Sequence, residues 1–290
     1  MAFNVVVIRK NYLGLQMEEV PLSVIEPRKG WIPVNYGELL HYRELLYFLT
    51  WRDLKVRYKQ TVLGAAWAIL QPVMSMVVFT IFFGRLAKMP SDGIPYPIFV
   101  YAGLLPWTFF ANSISGSGTS LVGSAHLISK VYFPRLFVPT SKVMAALVDF
   151  AIAFFILLVL MAYYRVGLSP NLLLLPVVVT LTIMAAMGVG SLLAALNVTY
   201  RDFQYVIPFM VQVWMFCSPV IYPISMVPER WRWLLYLNPM AGIIDGYRAV
   251  FLGKDIRWMD LGISAGITIG LFVLGIFYFT KVERKFADIV

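Results

Sequence analysis

Residues 65–84 carry no charged side chain. As a helix rising about 1.5 Å per residue they span the roughly 30 Å of a bilayer's hydrocarbon. Five more apolar runs follow, at residues 96–114, 136–164, 172–198, 205–227 and 261–280. A backbone in hydrocarbon has no water to bond, so such runs must close their hydrogen bonds internally, as helices. Composition agrees: 60% of residues are hydrophobic and 13% charged, against about a quarter charged in soluble domains. A water-soluble fold is excluded, and an all-α integral membrane protein with six transmembrane helices is expected.

The flanks of the runs orient them. The net charge of +9 would suggest nucleic acid in a soluble chain, but here it gathers beside the apolar runs, the mark of charge retained on the cytoplasmic face. No nucleic-acid partner is expected. With six spans and both termini cytoplasmic, the inside holds 16 of the 24 Lys and Arg: Arg9, Lys10, Arg28, Lys29, Arg43, Arg52, Lys55, Arg57, Lys59, Lys130, Arg135, Lys142, Arg201, Lys281, Arg284 and Lys285. Residues 233–252 are apolar enough for a seventh span, but that would move the last cluster outside. Residues 219–252, broken by Pro219, Pro223, Asn238 and Pro239, therefore read as a re-entrant external helical hairpin between spans 5 and 6. Irregular backbone at such depth is tolerated only where protein buries it or water lines it, so a pathway nearby is implied.

Upstream, three segments are expected. Residues 1–36, broken by Pro21, Pro27 and Pro33 and with a short strand at 5–8, form a cytoplasmic N-terminal extension. In residues 37–60 leucines and Phe48 interleave with Arg and Lys, the pattern of an amphipathic helix lying in the membrane interface. Residues 61–290 form the transmembrane domain. Arg9 and Lys10 follow the short apolar stretch at the N-terminus, the reverse of a cleavable signal, so the first span serves as an uncleaved one. Cys217 is the single cysteine, which excludes an intrachain disulfide and a cysteine-cluster metal site.

Enzymatic motifs fail. His41 and His126 lack HExxH spacing, Gly253-Lys254 is followed by Asp255 where a phosphate loop needs Ser or Thr, and Gly116-Ser117-Gly118 lacks a third glycine. No catalytic residue, metal or cofactor is expected in this chain. Asp149 is the one acidic residue deep in a run, and either contacts a proton or substrate or bonds to another helix. Lys142, two turns earlier, shares its face but lies about 10 Å away along the axis, too far to pair directly. Gly262, Gly266 and Gly270 form a stripe suited to close helix packing, within or between subunits. Residues 115–135, rich in Ser and Gly and then basic, are not expected to span. Trp31, Trp231, Trp233 and Trp258 suit interfacial anchoring, whereas Trp67, Trp107, Phe110, Trp214, Phe216 and Tyr222 lie within runs. Those rings either pack against helices and lipid or face sugar rings along a translocation path.

Several segments resemble a known family. Arg57-Tyr58-Lys59-Gln60-Thr61-Val62-Leu63-Gly64 with Trp67 and Gln71-Pro72, then Asn197-Val198-Thr199-Tyr200-Arg201-Asp202-Phe203, Ser218-Pro219-Val220-Ile221-Tyr222 and Leu237-Asn238-Pro239-Met240 are similar, in order, to ABC-2 type permeases of the polysaccharide exporters for O-antigen and teichoic acid. The resemblance implies a homodimeric permease in the bacterial inner membrane, paired with separate ABC ATPase subunits that bind ATP and Mg, moving a lipid-linked polysaccharide out of the cytoplasm. It implies a conduit along the first and fifth spans, with Trp67, Phe79, Trp214 and Tyr222 among its lining. It also implies ATPase contacts in residues 120–135 and 200–203, with His126, Lys130, Tyr132, Arg135, Tyr200, Arg201 and Asp202 as candidates. Pro219, Pro223, Asn238 and Pro239 would belong to an external gate. The rivals are an ABC-2 permease for drugs or lipids, an ion-coupled carrier turning on Asp149, and a polyprenyl-lipid enzyme, for which the chain lacks a cluster of carboxylates or histidines.

Overall fold

The computed structural model describes residues 36–59, 64, 66–167, 169–283 and 286; of the extension expected over 1–36, all but residue 36, the strand included, lies outside them. In chain order the helices are α1 (Tyr36–His41), α2 (Arg43–Lys59), α3 (Ala66–Phe79), α4 (Tyr96–Gly123), α5 (Ala125–Lys130), α6 (Phe137–Tyr163), α7 (Leu175–Thr199), α8 (Phe203–Cys217), α9 (Glu229–Tyr236), α10 (Pro239–Leu252) and α11 (Trp258–Glu283). A π-helical stretch, Thr80–Leu86, continues α3, and a 3-10 turn, Pro170–Leu174, leads into α7. The single interfacial helix expected over 37–60 is divided by a turn at Tyr42.

Five helices among the described residues are long and apolar enough to cross a membrane. The fifth apolar run, expected over 205–227, is helical only to Cys217. At 15 residues α8 is about 22 Å long, short of the hydrocarbon thickness. The reason is local: extended backbone at Ser218 and Pro223, with Pro219 between them, breaks the helix.

α4 is the central post, with 78% of its most apolar window buried. It packs along α6 and α7, and α7 in turn lies along α11. Residues 115–135 form no span of their own among the described residues, but α4 runs on into them as far as Gly123. Its serines are satisfied locally: Ser117 Oγ donates to the Pro139 carbonyl at 2.9 Å and Ser120 Oγ to the Ser117 carbonyl at 2.6 Å. Small side chains there bring neighbours close, as Ser117 sits where a Cβ on Gly190 would meet its own Cβ at 2.8 Å.

Of the two roles open to the glycine stripe on α11, packing within the chain is not the one it plays. A Cβ added at Gly262, Gly266 or Gly270 meets nothing within 4 Å, so these positions do not pack inside the chain. The close crossing is one turn further on, where Gly275 abuts the Gly188 carbonyl of α7.

The bundle alternates direction, which sorts its features to two ends. One end gathers α2, α5, the turn at residues 200–202 and the end of α11, joined by the Arg135 backbone N–H donating to Glu283 at 3.1 Å and Asn197 Nδ2 donating to the Gly118 carbonyl at 2.9 Å. The other gathers the loop at residues 87–95, α9 and α10, joined by Tyr96 Oη donating to the Ile221 carbonyl at 2.7 Å.

Candidate functional site

At the first end, α2 meets α6 through Asp53, Arg57 and Tyr58, buries Leu49 and leaves Tyr47, Phe48 and Trp51 exposed. Exposed rings beside exposed Arg and Lys suit an apolar interface. Asp53 pairs with Lys142 Nζ at 3.0 Å and accepts from Ser141 Oγ at 3.1 Å. One turn on, Arg57 and Tyr58 both donate to the Asp149 carboxylate. Burial, then the bond to that carboxylate, push the Tyr58 hydroxyl up to about 12, so it stays protonated as a donor. Asp149 is thus the partner of another helix, one of the two roles open to it from sequence, and Lys142 on the same face takes a different carboxylate. The two latches fix α2 to α6.

After residues outside the description, Gly64 adopts φ +49, a left-handed conformation that glycine takes without a Cβ clash, and the chain turns into α3. Because α2 leans on α6, and α3 on α4 and α6, a gap remains between α2 and α4. It holds a cleft of about 480 Å³ lined by Arg52, Thr119, Ser124, His126 and Lys142. Further along α4 is a second of about 460 Å³, lined by Arg57, Trp67, Gln71, Asn112 and Asp149.

At the second end a polar knot ties the two proline-bearing motifs together. Asn238 caps α10 by accepting from the Met240 backbone N–H at 3.0 Å, accepts from Trp214 Nε1 at 2.9 Å, and donates from Nδ2 to Ser218 Oγ at 2.8 Å. An Asn before a Pro at the first helical position is a legible helix start. Arg248, 1% exposed, reads in the sequence only as a charged interruption of an apolar stretch, yet it is the clamp of this end. Its guanidinium donates to the carbonyls of Val220 at 2.6 Å, Phe99 at 3.4 Å and Tyr222 at 3.4 Å, and stacks 3.7 Å from the Phe99 ring. Its neighbours explain why Gly103 is glycine, since a Cβ there would meet Arg248 at 2.9 Å and Val220 O at 3.0 Å. Outside the knot, Asp92 accepts from Lys254 Nζ and Ser225 Oγ, each at 2.7 Å. Burial opposes its ionisation, yet the bonds from Lys254 and Ser225 prevail and hold it below the usual carboxylate range.

The other candidates are placed as follows. Trp67 is 51% exposed and Phe216 is 51% exposed, and Tyr222 is half-buried. Trp107 is 4% exposed and packs against Phe110, whose ring meets Trp214 edge-on at 5.1 Å. Trp107 therefore serves the core of this chain rather than an open surface. Phe79 packs edge-on against Phe83 at 5.8 Å. His126, Lys130, Tyr132, Tyr200, Arg201 and Asp202 are exposed together at the first end, whereas Arg135 is engaged with Glu283. Pro219, Pro223 and Pro239 are buried in the knot with half-buried Asn238.

A bundle with five helices long and apolar enough to cross a membrane, α2 latched to its side at one end and a proline-broken segment knotted at the other, defines a multi-pass membrane protein. Residues 44–252 match the ABC-2 type transporter family, and the chain belongs to it. It is similar to the O-antigen export system permease protein RfbA of Myxococcus xanthus, 35% identical over 217 residues, covering 74% of this chain and 82% of that one. A protein of the same name from Klebsiella pneumoniae is 30% identical over 259 residues, covering 88% and 97%. The polysialic acid transport protein KpsM of Escherichia coli is 27% identical over 243 residues, covering 80% and 91%.

Proposed function

We propose that this chain is the permease half of an ABC exporter in the bacterial inner membrane, moving a lipid-linked polysaccharide out of the cytoplasm. Similarity over 74% and 88% of the chain to permeases named for O-antigen export carries the reading. Two copies face each other across α3 and α8 and meet two ATPase subunits, which bind ATP and Mg. α3 with its π-helical stretch has only 11% of its apolar window buried, the least among the five long helices, which supports a second copy as its cover. On α8, Tyr205 at 75% and Phe209 at 69% exposure offer rings to the same space. The first end faces the cytoplasm, where exposed His126, Lys130, Tyr132, Tyr200, Arg201 and Asp202 await the motor. Both chain termini lie on that side. The knot around Asn238 and Arg248 is the external gate.

Transmission is mechanical in this reading. ATP binding draws the ATPase subunits together, and α2, bolted to α6 by Asp53–Lys142 and by Arg57 and Tyr58 on Asp149, carries that movement into the spans. The test is co-expression with an ABC ATPase and uptake of labelled lipid-linked glycan into inverted membrane vesicles. ATP-dependent uptake, lost when the ATPase carries a dead nucleotide site, is the expected result. Uptake driven by a proton gradient without the ATPase, or nucleotide hydrolysis by the purified chain alone, would overturn it.

A further inference from the structure

The cleft of about 460 Å³ between α2, α3, α4 and α6 lies in the range of small-ligand sites, roughly 300–1,000 Å³. Its wall carries hydrogen-bonding groups that the fold leaves unspent. Thr108, Asn112 and Ser115 recur at spacings of four and three residues, so they share one face of α4, and Gln71 of α3 lines the same cleft. None of these four side chains bonds to another described residue. Several helical threonines elsewhere do otherwise. Thr140, Thr180 and Thr182 each return Oγ1 to the carbonyl four residues back, at 2.7, 2.7 and 2.6 Å, the usual resort of a threonine in an apolar helix.

Aromatic faces complete the wall, with Trp67, Phe109 and Phe150 lining the same space. Charge is balanced, because Arg57 and Tyr58 already occupy Asp149 at the rim. A phosphate would find no unpaired cation among these groups. An acyl chain would bury four polar groups without partners, each at a cost of about 1–3 kcal/mol. Ring faces with neutral amides and hydroxyls match one chemistry, a neutral sugar ring with apolar C–H faces and a hydroxyl rim.

We propose that this cleft is a saccharide subsite, holding a neutral sugar unit of the exported glycan beside the α2–α6 latch before it enters the conduit. The assignment rests on the proposed function and adds to it the place where the permease itself reads the glycan. Occupancy next to Arg57–Asp149 also lets the cargo bias the same latch that the motor moves.

The test uses the chain in complex with its ATPase. Benzoylphenylalanine replaces Asn112 in one sample and outward-facing Val159 of α6, 64% exposed, in another. After loading with a tritiated polyprenyl-diphosphate-linked oligosaccharide and irradiation, sugar label is expected on the protein at position 112 and not at 159. In parallel, Asn112→Leu and Gln71→Leu, checked for copurification with the ATPase, are expected to lower vesicle uptake about tenfold, and Asn112→Gln to restore most of it. If the wild type exports glycan while position 112 captures only phospholipid, or Asn112→Leu exports within twofold of wild type, the subsite is refuted and the exporter reading stands. If the wild-type complex moves no glycan at all, both fall.

Discussion

Adding one methyl group at Gly188 should damage this protein, whereas the same methyl at Gly266 should not. A Cβ on Gly188 would lie 2.6 Å from Phe272 Cα, 2.7 Å from Phe272 N and 2.8 Å from the Leu271 carbonyl carbon, all backbone atoms of α11. Non-bonded carbons rest about 3.5–4.0 Å apart, so α7 and α11 must separate by about an ångström. Overpacking of this kind costs about 1–3 kcal/mol, and backbone that cannot rotate away puts Gly188→Ala near the upper value. The gain from replacing helical Gly by Ala, about 1 kcal/mol, returns part of that. At Gly266 nothing lies within 4 Å of the added Cβ, so only the gain remains. The gain is common to both variants, so they should differ by the overpacking cost alone, about 3 kcal/mol. Titration of the dodecylmaltoside-solubilised protein with SDS, followed by tryptophan fluorescence, measures the difference. Gly275→Ala should be at least as harmful, because its Cβ would strike the Gly188 carbonyl, and the double variant should fall short of the sum since one separation relieves both clashes. A Gly188→Ala protein as stable as Gly266→Ala would refute the crossing.

Three further outcomes are expected. Arg248→Lys keeps the charge but loses the planar fork that reaches three carbonyls, and should lower the unfolding free energy by about 2–3 kcal/mol in the same SDS titration; a midpoint equal to wild type would deny Arg248 its clamp. Asp149→Asn still accepts from Tyr58 but loses the charge that holds Arg57, so hydrogen exchange in α2 should quicken about fivefold, equivalent to about 1 kcal/mol, while ATP-driven export survives a collapsed proton gradient; export abolished in this variant and by uncoupler would favour a carrier. Asp92 is held below its usual range, so its contribution is present above the unfolded carboxylate value of about 4 and is lost as pH falls through the folded one. Asp92→Asn should accordingly speed exchange in residues 87–95 at pH 7, and the difference from wild type should shrink as the pH falls below the usual carboxylate range; equal protection at pH 7 would show the tie to Lys254 and Ser225 to be idle.

The apolar runs were legible in the sequence because the bilayer acts on each segment separately: length, lack of charge and closed backbone bonds are local properties. Asn238-Pro239 was legible as a break for the same reason, since a cap needs only its own first turn. Tertiary structure alone decided which side chains meet. Asp149 finds Arg57 and Tyr58 from 92 and 91 residues away, Gly275 rather than the stripe from Gly262 to Gly270 receives another helix, Trp107 enters the core, and Arg248 reaches carbonyls on α4 and the hairpin. Periodicity tells which residues share a helix face, but lipid and protein interior are about equally apolar. Which face meets a neighbour is therefore set by the shapes and polar groups that the folded bundle brings together.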